Sequence, residues 1–102
     1  MVSLLIFQSC TKHKPSLERS KFVDITAELY MAEVLAANKD TAMTAKKEYF
    51  KSYQQDVFKK YGCDSGMYYQ SYEAYNEQID TMQSVMNDVI SKLTIMQAAG
   101  MK

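Results

Sequence analysis

The fold is decided by residues 79–96, which read IDTMQSVMNDVISKLTIM. Apolar side chains recur in this stretch at alternating spacings of three and four, so a helix would carry them on one face. They are Ile79, Met82, Met86, Val89, Leu93 and Met96. The pattern lasts little more than two heptads, whereas a coiled coil usually needs three or four. It therefore predicts a helix that packs against other helices of the same domain and ends near Gly100.

Two more helices are predicted at the start of the domain. Their apolar stripes are Phe22, Ile25, Leu29, Ala32 and Ala36 in the first, and Phe50, Tyr53, Val57 and Tyr61 in the second. The first helix begins at Pro15 and Ser16, because proline is tolerated in a first turn, and it fades near Asn38. The second ends at Gly62, since glycine adopts the left-handed conformation that closes helices at little cost.

A shorter third helix precedes the deciding stretch. Asp64 and Ser65 supply side-chain oxygens that can cap its start. Its tyrosines are Tyr68, Tyr72 and Tyr75. Asn76 marks a bend, and the sequence leaves open whether the third and last helices are continuous. We therefore predict an all-α fold, a small bundle of three long helices plus one short helix over residues 17–97, followed by a C-terminal tail over residues 98–102.

Composition limits the class of protein that this chain can be. It has 102 residues, with twelve Lys plus Arg against twelve Asp plus Glu, and a formal net charge of zero. That balance argues against a nucleic-acid partner, which normally selects a basic face. The charges are nevertheless segregated, because residues 39–60 sum to plus three and residues 64–91 sum to minus five. This alternation suggests that a basic second helix lies between an acidic first and an acidic last helix, unless the charges only form solvated faces worth little energy.

The first ten residues, MVSLLIFQSC, are typical of the end of a bacterial lipoprotein signal peptide. A small residue, Ser9, would admit the peptidase, and the thiol of Cys10 would accept the lipid. We therefore predict a partial signal peptide over residues 1–9 and a lipidated Cys10 that begins a polar tether over residues 10–16. Against this, no Lys or Arg precedes the apolar run, which is shorter than the ~7–15 residues expected of a signal. The alternative is an apolar N-terminus packed on the core, with Cys10 as a buried thiol.

Several short motifs follow one another along the chain in a recognisable order. The most specific are Val57-Phe58-Lys59-Lys60-Tyr61-Gly62 and Ser71-Tyr72-Glu73-Ala74-Tyr75, and the less specific are Phe22-Val23-Asp24-Ile25 and Leu29-Tyr30-Met31-Ala32-Glu33. This order resembles a family of small Bacteroidetes lipoproteins built on a helical domain of unknown function. The resemblance implies a lipid-anchored, all-helical envelope protein, and it brings no known activity or catalytic residue.

The resemblance also bears on localisation and has three departures, of which the short signal region described above is the first. Thr11-Lys12-His13-Lys14 differs from the acidic run that resembles a surface-export signal in such lipoproteins, which favours the periplasmic face over the cell surface. Cys63 stands where an aliphatic residue is expected. Asn76-Glu77 lacks the Asn-Pro that often separates the last two helices, so their continuity stays open.

Tyrosines are the densest compositional feature, since seven of the eight lie between residues 49 and 75. Tyrosine combines an apolar ring with a polar hydroxyl, so such a cluster can line a groove for a peptide or a sugar. Tyr49, Tyr68 and Tyr69 fall beside the apolar stripes and are the predicted ligand or partner contacts. The competing interpretation, which the spacing favours, is that the remaining tyrosines form the core with their hydroxyls at the surface: Tyr53, Tyr61, Tyr72 and Tyr75.

No pattern in the sequence is typical of catalysis. Cys63 is expected to pack as a small hydrophobe at a helix end, because the single His of the chain, His13, lies in the tether. Glu73, Glu77 and Asp80 share one face of a helix, where carboxylates are most often solvated. The sequence therefore predicts no catalytic residue, no metal site and no cofactor.

These observations together predict a class of function. We expect a non-enzymatic helical interaction module of the cell envelope that meets the membrane through a lipid at Cys10 and binds another envelope protein, with no nucleic-acid partner. No later stretch reaches the ~18–20 apolar residues that a membrane span needs, so the attachment would be through lipid. The alternative is a ligand-binding module whose tyrosine-rich groove holds a peptide or a sugar.

Overall fold

The structure is a computed structural model that describes residues 14–100, and within them it contains four α-helices. Three are long and one is short, which confirms the predicted all-α class. They are α1 (Arg19–Ala37), α2 (Met43–Lys60), α3 (Ser65–Asn76) and α4 (Ile79–Ala98). The predicted signal segment and Cys10 lie outside the described residues. None of the four helices combines the length and the apolar character that crossing a bilayer requires.

The central helix of the domain is α1. It packs against α2 and against α4, and α3 also packs against α4. The buried residues of α1 cover a broad arc and not a narrow stripe: Phe22, Val23, Ile25, Thr26, Ala27, Leu29, Ala32 and Ala36. A helix that is apolar over so much of its circumference is buried on more than one side. The suggestion that basic α2 lies between two acidic helices is therefore wrong, because acidic α1 lies between α2 and α4.

The helix ends agree with the sequence except at the start of α1. Asn38 caps the end of α1, and Gly62 follows α2 with a φ of 65°. Asp64 is the N-cap of α3, and its Oδ1 accepts a hydrogen bond from the Met67 amide at 2.8 Å. Gln78 is extended, so α3 and α4 are separate helices. By contrast α1 begins at Arg19 and not at Pro15, because the residues before Arg19 hydrogen-bond to side chains of α3.

The side chains of α4 bury a face that is shifted from the predicted stripe. Val85 and Val89 have no exposed surface, and Met82 and Met96 are also buried. Ile79, which the sequence placed at the head of the stripe, is 73% exposed, because it is the first residue of the helix. Sequence spacing therefore found the helix and most of its buried face.

The two long helices beside α1 run in opposite directions. Arg19 contacts Asp88 at 2.8 Å and Asp24 contacts Lys92 at 3.5 Å, so α4 runs parallel to α1. These ion pairs are exposed, and such pairs contribute at most about 1 kcal/mol each. Their value lies in defining the register between the two helices.

The antiparallel α2 is displaced along α1, so that part of it has no helix beside it. The Lys60 ammonium lies 3.0 Å from Glu28, which places the end of α2 beside the middle of α1. Nine residues along each helix from that pair lead to Ala37, the last residue of α1, but only to Lys51 of α2. Residues 43–49 therefore extend beyond the last residue of α1.

Candidate functional site

Aromatic side chains from three helices line a groove beside α1, which we call the aromatic groove. Its volume is about 310 Å³. Its aromatic lining is Phe22, Tyr30, Phe50, Tyr68, Tyr69 and Tyr72, and its other lining residues are Thr26, Leu29, Glu33, Gln54 and Met86. The floor belongs to α1, one wall to α2, and the opposite wall to α3 with Met86 of α4. Exposed tyrosine rings could stack on a ligand, and their hydroxyls could hydrogen-bond to it.

Tyr68 is in the core, so its predicted role as an exposed contact is wrong. It is 6% exposed, its ring stacks on Phe22 with the centroids 5.1 Å apart, and its hydroxyl shares a 2.8 Å hydrogen bond with Thr26. Burial raises the pKa of the Tyr68 hydroxyl to about 12. Only one edge of this residue can reach the groove, where it supports the neighbouring ring of Tyr69 at a centroid distance of 5.3 Å.

Tyr69 and Tyr72 are the exposed tyrosines of the α3 wall. Tyr69 is 51% exposed, and the Gln54 amide donates a long hydrogen bond of 3.5 Å to its hydroxyl across the groove. Tyr72 is 44% exposed, although the sequence placed it in the core. Tyr61 and Tyr75 are half-buried and pack against the core, which agrees in part with the interpretation that placed their rings in the core. Tyr72 therefore lies at the edge of the face of α3 that packs on α1, with its ring centroid 6.5 Å from that of Phe22.

Tyr49 is exposed but does not line the aromatic groove. Its ring stacks on Tyr53 of the next turn at 6.4 Å, and the Lys39 ammonium lies 5.0 Å from its ring centroid. The structure therefore brings Tyr68 and Tyr69 together in the groove and leaves Tyr49 outside it. Tyr30 completes the groove instead; it is the one tyrosine outside the dense segment, and nothing in its sequence spacing indicated this role.

A partly buried carboxylate, Glu28, lies on another side of α1. Glu28 accepts hydrogen bonds from the Lys60 ammonium, at 3.0 Å to both oxygens, and from the Tyr61 hydroxyl. Burial, followed by this hydrogen bond and the charge of Glu28, raises the pKa of Tyr61 above its usual range. The three groups satisfy one another, so this cluster joins α1 to the end of α2 and offers no free group for chemistry.

The remaining sequence candidates lie as follows. Glu73 and Asp80 are exposed, and Glu73 lies with Tyr69 and Glu77 along a polar concavity on the outer face of α3. Cys63 is a free, half-buried thiol that packs against the core, and burial raises its pKa. Within residues 14–100, no three His, Cys, Asp or Glu side chains lie close enough together to hold a metal ion.

Residues 14–17 are fixed on α3, in what we call the N-terminal clasp. The amide of Leu17 donates to Ser71 Oγ at 2.9 Å, and the Tyr75 hydroxyl donates to the Leu17 carbonyl at 2.8 Å. The Gln70 side chain donates to the Lys14 carbonyl at 2.8 Å and accepts from Ser16. Leu17 is buried, and these bonds to side chains replace helical ones, which explains why α1 begins only at Arg19.

This geometry defines the class of protein. It is a small all-α domain with an open aromatic groove and an N-terminal segment fixed to its third helix. A family model matches residues 14–98, which is most of the chain, and its description is Domain of unknown function (DUF4296). The chain therefore belongs to the DUF4296 family. No curated protein and no solved structure matches it.

Proposed function

We propose that this chain is a lipid-anchored, non-enzymatic interaction module of the cell envelope, like the small Bacteroidetes lipoproteins that it resembles. The observation that carries the proposal is the N-terminal clasp. Lys14 is held on α3, and Cys10 precedes it by four residues. Four residues span at most ~14 Å even when fully extended. A lipid on Cys10 would therefore hold the folded domain close to a bilayer, on the side from which the chain enters α1.

The interaction role is supported by what the domain leaves exposed. Tyr30, Tyr69 and Tyr72 present ring surface to solvent beside one another, in a chain of modest core size. Aromatic side chains are enriched where proteins bind each other. We propose the periplasmic face as the location, because the segment after Cys10 is basic and not acidic.

Metabolic labelling tests the anchor. Cells that express the chain are grown with a fatty acid that carries a clickable group, and the protein is compared with the Cys10→Ala variant. We expect label on the original chain, none on Cys10→Ala, and full label on Cys63→Ala, which is the matched thiol control. Equal label on the first two chains would overturn the anchor.

A second candidate function is favoured by the aromatic groove itself. A groove of about 310 Å³ with Tyr69 and Tyr72 on one wall and Gln54 on the other can hold a short peptide or a sugar. Amide chemical shifts would be followed while short oligosaccharides and short peptides are added in turn. Shifts confined to the groove, lost in Tyr72→Ala but kept in Tyr49→Ala, would support this function. If none of the added oligosaccharides and peptides shifts an amide resonance of the groove, this second function is excluded.

A further inference from the structure

The outer half of α2 is an amphipathic helix that the other helices cover only in part. No residue from Met43 to Asp56 is buried, although Val57 and Phe58 are. The positions that continue the buried stripe of α2 outward, at helical spacing from Val57, carry apolar and basic side chains. We call them the basic–apolar face; they are Met43, Lys46, Lys47 and Phe50.

The chemistry of this face defines what would cover it. Phe50 is half-buried and Met43 is 66% exposed, so burying them would be favourable, while Lys46 and Lys47 require carboxylates beside them. Neither lysine forms an ion pair within residues 14–100. The occupant must therefore present aromatic or aliphatic side chains interleaved with acidic ones.

The chain itself carries such a surface on the edge of α3 between the aromatic groove and the polar concavity, and we call it the acidic–aromatic face. Tyr69, Tyr72 and Glu73 lie at helical spacing on that edge and are all exposed. Glu73 is the one charged side chain of α3, whereas residues 43–50 of α2 carry two lysines, Lys46 and Lys47, against one carboxylate, Glu48. The two faces are complementary in charge and in apolar character.

The charged parts of the two faces do not meet within one molecule. Phe50 shares the aromatic groove with the tyrosines of α3, but α3 packs where α1 begins, near Phe22, whereas Lys47 lies beyond the end of α1. Gln54 is the residue of α2 that hydrogen-bonds to α3, and Lys47 is seven residues further out, about 10 Å along the helix. A contact between the lysines and the acidic–aromatic face must therefore join two molecules.

We infer that the basic–apolar face of α2 binds the acidic–aromatic face of α3 in a second copy of this chain, and that the reverse contact forms at the same time. Such a pairing is isologous, so it closes as an antiparallel dimer. A net charge of zero built from two opposed surfaces favours self-association of this kind. The inference names the partner for the interaction role proposed above, but it does not depend on the lipid anchor.

The test is a charge exchange between two variants, measured by sedimentation velocity of the full chain carrying Cys10→Ala. The unmutated faces are expected to give a dimer that weakens as salt rises, because salt screens exposed charges. Lys47→Glu and Glu73→Lys should each weaken dimerisation by about tenfold or more, since each places like charges opposite one another twice. Lys59→Glu changes the same charge on the inner half of α2, away from the face, and should leave the affinity unchanged.

Mixing the two variants decides the inference. In the mixed dimer, the carboxylate introduced at position 47 of one chain would face the ammonium introduced at position 73 of the other, and the unchanged Lys47 would face the unchanged Glu73. The mixed dimer should therefore regain affinity to within about threefold of the original chain. A chain that is monomeric at all concentrations, open-ended polymers, a mixture that stays dissociated, or an equal loss in Lys59→Glu would each overturn it. Circular dichroism confirms that every variant is folded.

These outcomes are separable from those of the lipid proposal. A monomeric chain that still incorporates fatty acid at Cys10 would overturn the dimer and leave the anchor in place. A chain that dimerises but takes up no label would do the opposite.

Discussion

Tyr68 buries both an aromatic ring and a hydroxyl group, so the ring needs packing partners and the hydroxyl needs a hydrogen bond. Its ring contacts Phe22 and Phe58, and its hydroxyl is paired with Thr26, both residues being no more than 6% exposed. A buried hydroxyl without a partner costs about 1–3 kcal/mol, so the two residues depend on each other. No buried side-chain polar atom in residues 14–100 lacks a partner.

We predict that Tyr68→Phe lowers the free energy of unfolding by about 1–2 kcal/mol, because it leaves the Thr26 hydroxyl without its partner. Tyr69→Phe is the matched control, since the Tyr69 hydroxyl is exposed and makes only a long contact. It should change stability by less than about 0.5 kcal/mol. Urea unfolding followed by circular dichroism measures both, and equal effects would contradict the prediction.

Alkaline pH should destabilise the domain through the same residue. Burial raises the pKa of Tyr68 to about 12 from the ordinary value of 10.0, so the folded state disfavours the ionised form. The stabilisation is therefore complete below pH 10 and is lost as the pH rises from about 10 towards 12. Unfolding midpoints in urea should fall over that range, and less steeply in Tyr68→Phe. An identical pH profile for the variant would show that other groups cause the fall.

The sequence could not decide which tyrosines of α3 are buried. Positions 68, 72 and 75 and positions 68, 71 and 75 both form stripes at helical spacing, and the aromatic choice favours the first. Ser71 has no exposed surface, because its hydroxyl accepts the Leu17 amide from 54 residues away. That long-range contact sets the rotation of α3 and turns Tyr72 outward. Exposure of Tyr69 and burial of Tyr68 follow from the same rotation.

At the scale of elements, the helices follow from local signals and their packing does not. Gly62 ends α2 through its positive φ, and Asp64 starts α3 through its hydrogen bond to the Met67 amide. Both signals can be recognised from the residue types alone. The start of α1 depends on the clasp with α3, and the central place of α1 depends on burial on several sides. Val23 and Ala27, beside the predicted stripe of α1, are the signal that its apolar surface is broad.

Two apolar positions within residues 79–96, Val85 and Ile79, should differ sharply in their contribution to stability. Val85→Ala removes methyl groups from a fully buried site and should cost about 1–3 kcal/mol, part of it from the cavity left behind. Ile79→Ala deletes more atoms but at a site that is 73% exposed, so its cost should stay below about 0.5 kcal/mol. Denaturant unfolding of the two variants measures the difference. A larger loss in Ile79→Ala would place the predicted stripe, and not the observed one, in the core.

Ser71 should hold the segment before α1 in place. In Ser71→Ala the buried Leu17 amide loses its acceptor, and we expect a loss of about 1–3 kcal/mol. The amide of Leu17 should then exchange with solvent faster by more than the global destabilisation explains. Ser65→Ala, in the same helix but exposed, is the control. Unchanged exchange at Leu17 would contradict the importance of the clasp.

On the scale of the whole molecule, stability should vary along the long axis. Helices overlap around Phe22, Val85 and Val89, which are fully buried, whereas residues 43–49 lie beyond the end of α1. Local opening is easiest where few apolar contacts hold a segment. Hydrogen exchange measured by mass spectrometry at dilute protein should therefore be fastest in the outer half of α2 and slowest around the valines of α4. Uniform protection along α2 would contradict this gradient.

The displacement of α2 along α1 also determines where two membrane anchors would stand in a pair. α1 separates the clasp from the free end of α2 by its own length, about 28 Å for nineteen residues. In an antiparallel pair, the N-terminal clasp of the second chain would therefore lie at the opposite end of the dimer from the clasp of the first. Such a dimer would lie flat along a single bilayer with both lipids inserted, or it would stand as a strut between two facing membranes.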